Sequence, residues 1–76
     1  MKMIVAENLK RLRTEKNITQ KSLCDELLNQ NFILKRNTYT KYENGTRIIP
    51  YDVICALAKY YNVTTDYIFG LSSDKN

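Results

Sequence analysis

Residues 36–50 constrain the fold of this 76-residue chain more than any other segment. Read as a helix, the segment places Tyr39 and Tyr42 three positions apart, so that both rings can be buried on one side. The other side carries long or polar side chains, namely Arg36, Asn37, Thr40, Lys41 and Asn44. Gly45 is suited to ending this helix in the left-handed conformation, and Pro50 to starting the next one. The segment therefore predicts a short helix with an aromatic buried side and a basic, amide-bearing outer side.

The composition indicates one small globular domain. Hydrophobic residues make up 43% of the chain and aromatic residues 11%, which is enough to form a core. No apolar run approaches the ~20 residues that a membrane-spanning helix needs. The N-terminus turns polar too early for a signal peptide. We therefore expect a cytoplasmic protein with no membrane partner.

Cys24 and Cys55 are the only cysteines, and both lie in segments with helical apolar periodicity. A single disulfide is a weak framework for a secreted domain, and two cysteines without any histidine are too few for a zinc site. Two free thiols packed as small hydrophobic groups are the favoured interpretation. No metal or cofactor is expected.

Positive charge is concentrated near the segment described first. The chain carries a net charge of +4, and residues 35–47 hold four basic side chains against one acidic side chain. A basic concentration on one element is typical of a protein with an anionic partner, nucleic acid before membrane.

The apolar periodicity and the capping residues predict five helices. They cover residues 4–16, residues 20 to about 28, residues 35–44, residues 50 or 51 to 61, and residues 65–69. Thr19 and Thr64 are the predicted N-caps, while Asn17, Asn62 and Gly70 are predicted to end helices. No strand pattern, repeat or linker interrupts this arrangement. The prediction is a compact all-α domain over residues 1–71, followed by a polar and frayed tail over residues 72–76.

Two local alternatives stay open from the sequence. The buried stripe of the second helix contains Leu23 and Leu27, together with either Cys24 or Leu28. Residues 32–34 form a short apolar run that is either an extended plug into the core or the end of a longer second helix. Periodicity cannot decide between these for three residues, and we favour the plug.

At this point the chain resembles the lambda-repressor and Cro-like regulators, often called XRE-type, which contain a helix-turn-helix. The resemblance rests on Leu12-Arg13, Ile18-Thr19-Gln20, residues 38–47 (Thr-Tyr-Thr-Lys-Tyr-Glu-Asn-Gly-Thr-Arg), Pro50, residues 57–63 and residues 66–71. It covers nearly the whole chain. It departs from the family in one place, because Gln20 and Glu43 lie farther apart than is usual, which indicates an insertion within residues 28–34. Cys24 and an Asn-rich segment also replace the customary small residue and Gly of the turn.

The resemblance implies a DNA interface formed by the second and third helices. It implies base contacts from Arg36, Asn37 and Lys41, which suit guanine and adenine edges chemically, and we favour these over a merely solvated helix face. The residues implied to contact or position phosphates are Thr19, Gln20, Lys35, Thr38, Thr40, Asn44, Thr46 and Arg47. For Gln20, a plain first-turn glutamine is an equal alternative to a residue that touches phosphate and braces the start of the third helix.

The resemblance also implies an ion pair between Arg13 and Glu43, which would fix the packing of the first helix against the third. Four tyrosines, Tyr39, Tyr42, Tyr61 and Tyr67, are expected in the core or at its edge, with their hydroxyls at the surface.

The expected function is that of a sequence-specific regulator, a repressor, which binds a two-fold symmetric double-stranded DNA operator as a homodimer. The dimer contacts are expected from the C-terminal region, namely the exposed side of the fourth helix, the fifth helix and Leu71. Val53, Tyr60 and Phe69 are apolar residues suited to this contact, with packing inside the monomer as their alternative. An enzyme acting on a small-molecule substrate is disfavoured, because the chain has no histidine and no nucleophile–base pair. A protein-interaction module, antitoxin-like or anti-repressor, is the remaining alternative, since a fold does not dictate a function.

Overall fold

Five α-helices form the protein in a computed structural model that describes residues 2–75, with side chains from residue 4 onward. They are α1 (Lys2–Glu15), α2 (Gln20–Asn29), α3 (Arg36–Glu43), α4 (Tyr51–Tyr61) and α5 (Thr65–Phe69). The described residues contain no strand. The prediction of an all-α, five-helix domain is confirmed.

Two of the helices begin at threonine caps, as predicted. The Thr19 side chain accepts a hydrogen bond from the Ser22 backbone N–H, and Thr64 accepts one from Tyr67. Each cap satisfies one of the free N–H groups of the first turn. Pro50 is not the first helical residue of α4 but the extended residue before it.

All five described helices end in the same way, with a left-handed residue just past the last turn. These residues are Asn17, Asn31, Gly45, Asn62 and Gly70, with φ angles of 62°, 65°, 74°, 58° and 77°. In each case the next N–H reaches back to a carbonyl five residues earlier, as from Phe32 to Leu27 at 2.9 Å. Asparagine tolerates this conformation best after glycine. The stops predicted from Asn and Gly positions are confirmed.

The core contains residues from every helix. Its buried members are Val5, Leu9, Leu12, Leu23, Cys24, Leu27, Tyr39, Tyr42, Val53, Ile54, Leu57, Ala58, Tyr67 and Ile68. The open question in α2 is settled in favour of Cys24, because Leu28 is 55% exposed. Val53 is buried within the monomer, so it does not supply apolar surface to a partner.

Residues 32–34 lie outside α2, in a connection without helix or strand. Phe32 and Leu34 pack against the core, but Ile33 points outward and is 78% exposed. The prediction of a three-residue plug is therefore wrong for Ile33. Burial alternates along the three residues, because Phe32 and Leu34 are half-buried while Ile33 is exposed, as expected where successive side chains point to opposite sides.

The chain after α5 folds back instead of fraying. The Lys75 carbonyl accepts a hydrogen bond of 2.8 Å from the Thr64 N–H, and the Lys75 ammonium lies 3.2 Å from a Glu15 carboxylate oxygen. Asn76, the last residue of the predicted tail, lies outside the described residues. None of the five helices combines the length and the apolar content that crossing a bilayer requires.

Candidate nucleic-acid interface

The two sides of α3 differ sharply in burial. Tyr39 and Tyr42, with 0% and 5% of their surface exposed, face the core. Arg36, Asn37 and Lys41 are all exposed. The helix α3 packs against both α1 and α2, with its two tyrosines buried. This packing fixes the orientation of α3 and directs its polar side toward solvent.

Glu43 anchors the C-terminal end of α3. Its carboxylate accepts hydrogen bonds from Arg13 Nε at 2.7 Å, Arg13 Nη2 at 3.1 Å and Gln20 Nε2 at 3.2 Å. Arg13 also donates from Nη1 to the Ile18 carbonyl at 2.8 Å, in the connection before α2. One carboxylate and one guanidinium thus join α1, α2 and α3.

The pKa of the Glu43 carboxyl follows from this arrangement. Burial by itself raises that pKa, but the hydrogen bonds and the positive charge of Arg13 outweigh burial, so the net pKa lies below its ordinary value. The carboxylate is therefore ionised at neutral pH and fully paired. A two-pronged Arg–carboxylate contact also fixes orientation, not only distance.

Gln20, the first residue of α2, is turned toward α3. Its oxygen accepts a 2.6 Å hydrogen bond from the Thr40 hydroxyl, while its nitrogen donates to Glu43. Gln20 therefore braces the middle and the end of α3, whereas the resemblance implied the start. One proton of its amide nitrogen remains for a phosphate.

Three of the four threonines in the predicted phosphate-positioning set have their hydroxyls engaged within the chain. Thr40 donates to Gln20, Thr46 donates to the Lys41 carbonyl at 3.2 Å, and Thr19 caps α2 and donates to Ser22 Oγ at 3.1 Å. Each hydroxyl has one proton. These residues shape α2 and α3 in this structure, and Thr38 is the one whose hydroxyl makes no hydrogen bond to a described residue.

The long polar side chains around α3 are exposed and make no side-chain hydrogen bond or ion pair within residues 4–75. They are Lys35, Arg36, Asn37, Lys41, Asn44 and Arg47. The only acid in the same window, Glu43, is buried and paired with Arg13. The exposed surface of residues 35–47 therefore presents four positive charges, and the single carboxylate of that segment is engaged with Arg13.

Two tyrosine hydroxyls contradict the expectation that such groups reach the surface. The hydroxyls of Tyr39 and Tyr61 are buried and have no hydrogen-bond partner among the residues that the structure describes. Burial raises the pKa of both, and the nearby Glu43 charge adds to this. Tyr39 lies on α3 and Tyr61 on α4, and the oxygen atoms of both hydroxyls are shielded from solvent.

Asn8 is a structural residue that the sequence reasoning missed. It is buried, and its Nδ2 donates to the carbonyls of Tyr67 and Ile68 at 3.1 and 3.0 Å, which ties α1 to α5. The signal was a polar residue inside the apolar stripe of α1, beside Leu9. Such a residue needs a buried partner. The described residues contain no group of three or more side chains that could hold a metal ion.

Comparisons with known proteins agree with this geometry. A model of the helix-turn-helix family matches residues 9–68. The chain is 34% identical over 71 residues to the uncharacterized HTH-type transcriptional regulator YqaE of Bacillus subtilis (strain 168), covering 92% of this chain and 57% of that protein. It is 29% identical over 68 residues to the uncharacterized HTH-type transcriptional regulator YobD of the same organism, covering 90% and 56%.

The chain spans little more than half the length of these curated relatives. No solved structure matches it significantly. The family match nevertheless extends from α1 to α5 and contains both helices of the motif, α2 and α3. With its five helices in the lambda-repressor-like arrangement, the chain belongs to the XRE-type helix-turn-helix family.

Proposed function

We propose that this chain is a sequence-specific DNA-binding transcriptional regulator, a repressor, that works in the cytoplasm and inserts α3 into the major groove of double-stranded DNA. The observation that carries the proposal is the outer side of α3. It presents Arg36, Asn37 and Lys41 together, exposed and uncommitted, on a helix whose other side is locked into the core. Both relatives are named as HTH-type transcriptional regulators, which supports the same function.

The side chains divide by the task they suit. Arg36 and Lys41 can donate to guanine O6 and N7, and Asn37 can bond both adenine N6 and N7. Lys35 and Asn44 lie at the two ends of α3 and Arg47 in the connection after it, where they suit the phosphates that flank the groove. At the start of α2, free backbone N–H groups and the positive end of the helix dipole suit a further phosphate, beside the remaining amide proton of Gln20.

The experiment is selection of bound sequences from a random DNA pool, followed by affinity measurements on the selected site at several salt concentrations. Lys41→Ala should cost about 1–3 kcal/mol and flatten the preference at one base position, and Arg36→Ala should do so at another. Arg47→Ala should weaken all sequences alike and reduce the salt slope by about 1.

Lys59→Ala is the charge-matched control, because Lys59 is an exposed lysine on α4, outside the motif. It should leave the base preference and the preferred site unchanged. If the pool yields no preferred sequence, or if Lys41→Ala and Arg36→Ala behave like this control, the assignment of α3 as the recognition helix is wrong. A protein-interaction module would yield no preferred DNA sequence.

The proposed active species is a homodimer on a two-fold operator, joined through the C-terminal region. One helix of eight residues spans about 12 Å and can reach only a few base pairs, too few for useful specificity. Two copies would read half-sites about 34–36 Å apart. Leu71, just past α5, is 70% exposed, whereas Phe69 and Tyr60 are half-buried. Leu71 therefore offers the most free apolar surface of the predicted set.

The test of the dimer is the mass of the complex and the footprint length on a selected site. Wild type should give two chains per duplex, and Leu71→Ser should weaken the second binding event. Leu28→Ser, which changes another exposed leucine at the end of α2, should keep two chains. Removal of α5 is unsuitable as a test, because Ile68 is fully buried and the core would be lost. One wild-type chain per duplex at saturation would contradict the dimer.

A further inference from the structure

Ile33 is the most exposed of the large hydrophobic residues in the described chain, at 78%. It lies in the connection between α2 and α3, with Phe32 and Leu34 on either side packed against the core. Burial alternates along these three residues, so that Ile33 faces outward between two packed neighbours.

The cleft beside Ile33 combines apolar and charged side chains. It is lined by Cys24, Leu28 and Leu34 together with Lys21, Asp25 and Arg36. Asp25 is paired with Lys21 at 3.1 Å, so the Arg36 charge and the neighbouring Lys35 charge are left over. An apolar side chain beside unpaired cations is unsuited to a membrane interior or to a purely apolar partner. It fits a surface that offers methyl groups between phosphates, which is what the DNA major groove offers at thymine.

The position of Ile33 in the motif points to the same surface. In a helix-turn-helix, the N-terminal residues of the recognition helix contact the base edges. Ile33 comes three residues before Arg36, the first residue of α3, which is at most about 10 Å of extended chain. Lys21 of the same cleft lies in the first turn of α2, where the motif meets the DNA backbone. The side chain therefore lies within reach of the bases next to those that Arg36 faces.

We propose that Ile33 is a further specificity-determining residue, which contacts the C5-methyl group of a thymine next to the bases read by α3. This inference rests on the proposed DNA-binding function and deepens it. The insertion within residues 28–34 then extends the reading surface beyond the recognition helix. It adds an apolar contact to a helix whose outer side is otherwise polar.

The test replaces each thymine of the selected site, one at a time, by deoxyuridine, which lacks only the methyl group. Wild type should lose about fourfold in affinity at one thymine, the amount expected for one buried methyl group. Ile33→Ala should bind the unmodified site with a similar loss and should be indifferent to uracil at that same position. Ile48→Ala is the matched control, because Ile48 is 76% exposed in the connection between α3 and α4, and it should keep the thymine preference.

The Ile33→Ala variant should fold, because the exposed Ile33 side chain contributes little to the core. The unfolding temperature of the variant is measured alongside, so a loss of binding can be told apart from a loss of structure. Suppose that wild type selects a preferred sequence, but that every thymine-to-uracil replacement changes the affinity of wild type and of Ile33→Ala by the same factor. The inference is then overturned while the proposed function stands. The same holds if Ile33→Ala weakens all DNA alike, or if it changes only self-association. If wild type selects no sequence, the proposed function itself fails.

Discussion

Replacing Glu43 by glutamine tests the contact that joins three helices beneath the recognition surface. The substitution keeps the shape of the side chain but removes its charge. It also replaces one of the two acceptor oxygens by an NH2 group, which would then face an N–H donor of Arg13 or Gln20. The Glu43 side chain is only 3% exposed and that of Arg13 15% exposed. Water therefore cannot reach the buried amide group that replaces the carboxylate at position 43. It can rehydrate the Arg13 guanidinium only in part.

The expected loss of stability lies between two limits. Breaking a fully buried ion pair by removing one partner costs about 3–5 kcal/mol, and an exposed pair contributes about 0–1 kcal/mol. With Arg13 partly solvated and one charge-assisted hydrogen bond lost, Glu43→Gln should cost about 2–3 kcal/mol. In a domain of this size the unfolding temperature should fall by about 10–20 °C.

The assay is urea unfolding of wild type, Glu43→Gln, Arg13→Met and the double variant. The double variant should be more stable than the sum of the single losses predicts, by at least about 1 kcal/mol, because the two residues act as one contact. A cost below about 0.5 kcal/mol for Glu43→Gln, with no coupling, would refute the reasoning. It would mean that packing alone orients α3.

The pH dependence supplies an independent check on the same contact. The folded state holds the pKa of Glu43 below its ordinary value of 4.5. Its contribution is therefore fully present above pH 4.5 and is lost as the pH falls through the lower folded-state pKa. The stability difference between wild type and Glu43→Gln should be constant near neutrality and shrink in acid.

Three further substitutions test other features of the fold. Cys24→Ala should cost about 1 kcal/mol of stability through lost packing, measured by urea unfolding. It should leave the DNA preference unchanged, and mild oxidation should not abolish DNA binding by wild type or by this variant. Asn62→Gly should be neutral or stabilising, whereas Asn62→Ala should cost about 1 kcal/mol, because alanine resists the left-handed conformation; equal stabilities of the two would contradict this. Gly70→Ala should cost about 1–3 kcal/mol in thermal unfolding, since Gly70 has a φ of 77° and an added Cβ would lie 2.6 Å from Ile4 Cγ2.

The helices and their ends were predictable because their signals are local. Thr19 and Thr64 each act through an N–H group three residues away, and Asn62 and Gly70 act through their own φ angle. Such effects depend on neighbours in the chain and survive without knowledge of the tertiary structure. The polar outer side of α3 was predictable for the same reason, since helical spacing alone separates Arg36 from Tyr39.

The hydrogen bonds of the candidate interface were less predictable. The resemblance implied the pairing of Arg13 with Glu43, but the turn of Gln20 toward Thr40 depends on the crossing of α2 and α3. That crossing engages the Thr40 hydroxyl, which the resemblance had implied to serve phosphates. The role of Asn8 was hidden for a similar reason, because its partners lie 59 and 60 residues away.

By itself, the sequence determined the helical class, the ends of the helices, the aromatic and basic sides of α3 and the basic character of residues 35–47. Those properties follow from periodicity, capping chemistry and charge, which each act over a few residues. Only the tertiary structure decided that Cys24 is buried in place of Leu28, that Val53 belongs to the core and that Ile33 points outward between two anchored neighbours. Burial depends on what packs across the domain, and an apolar residue carries no local mark of whether a partner helix will cover it.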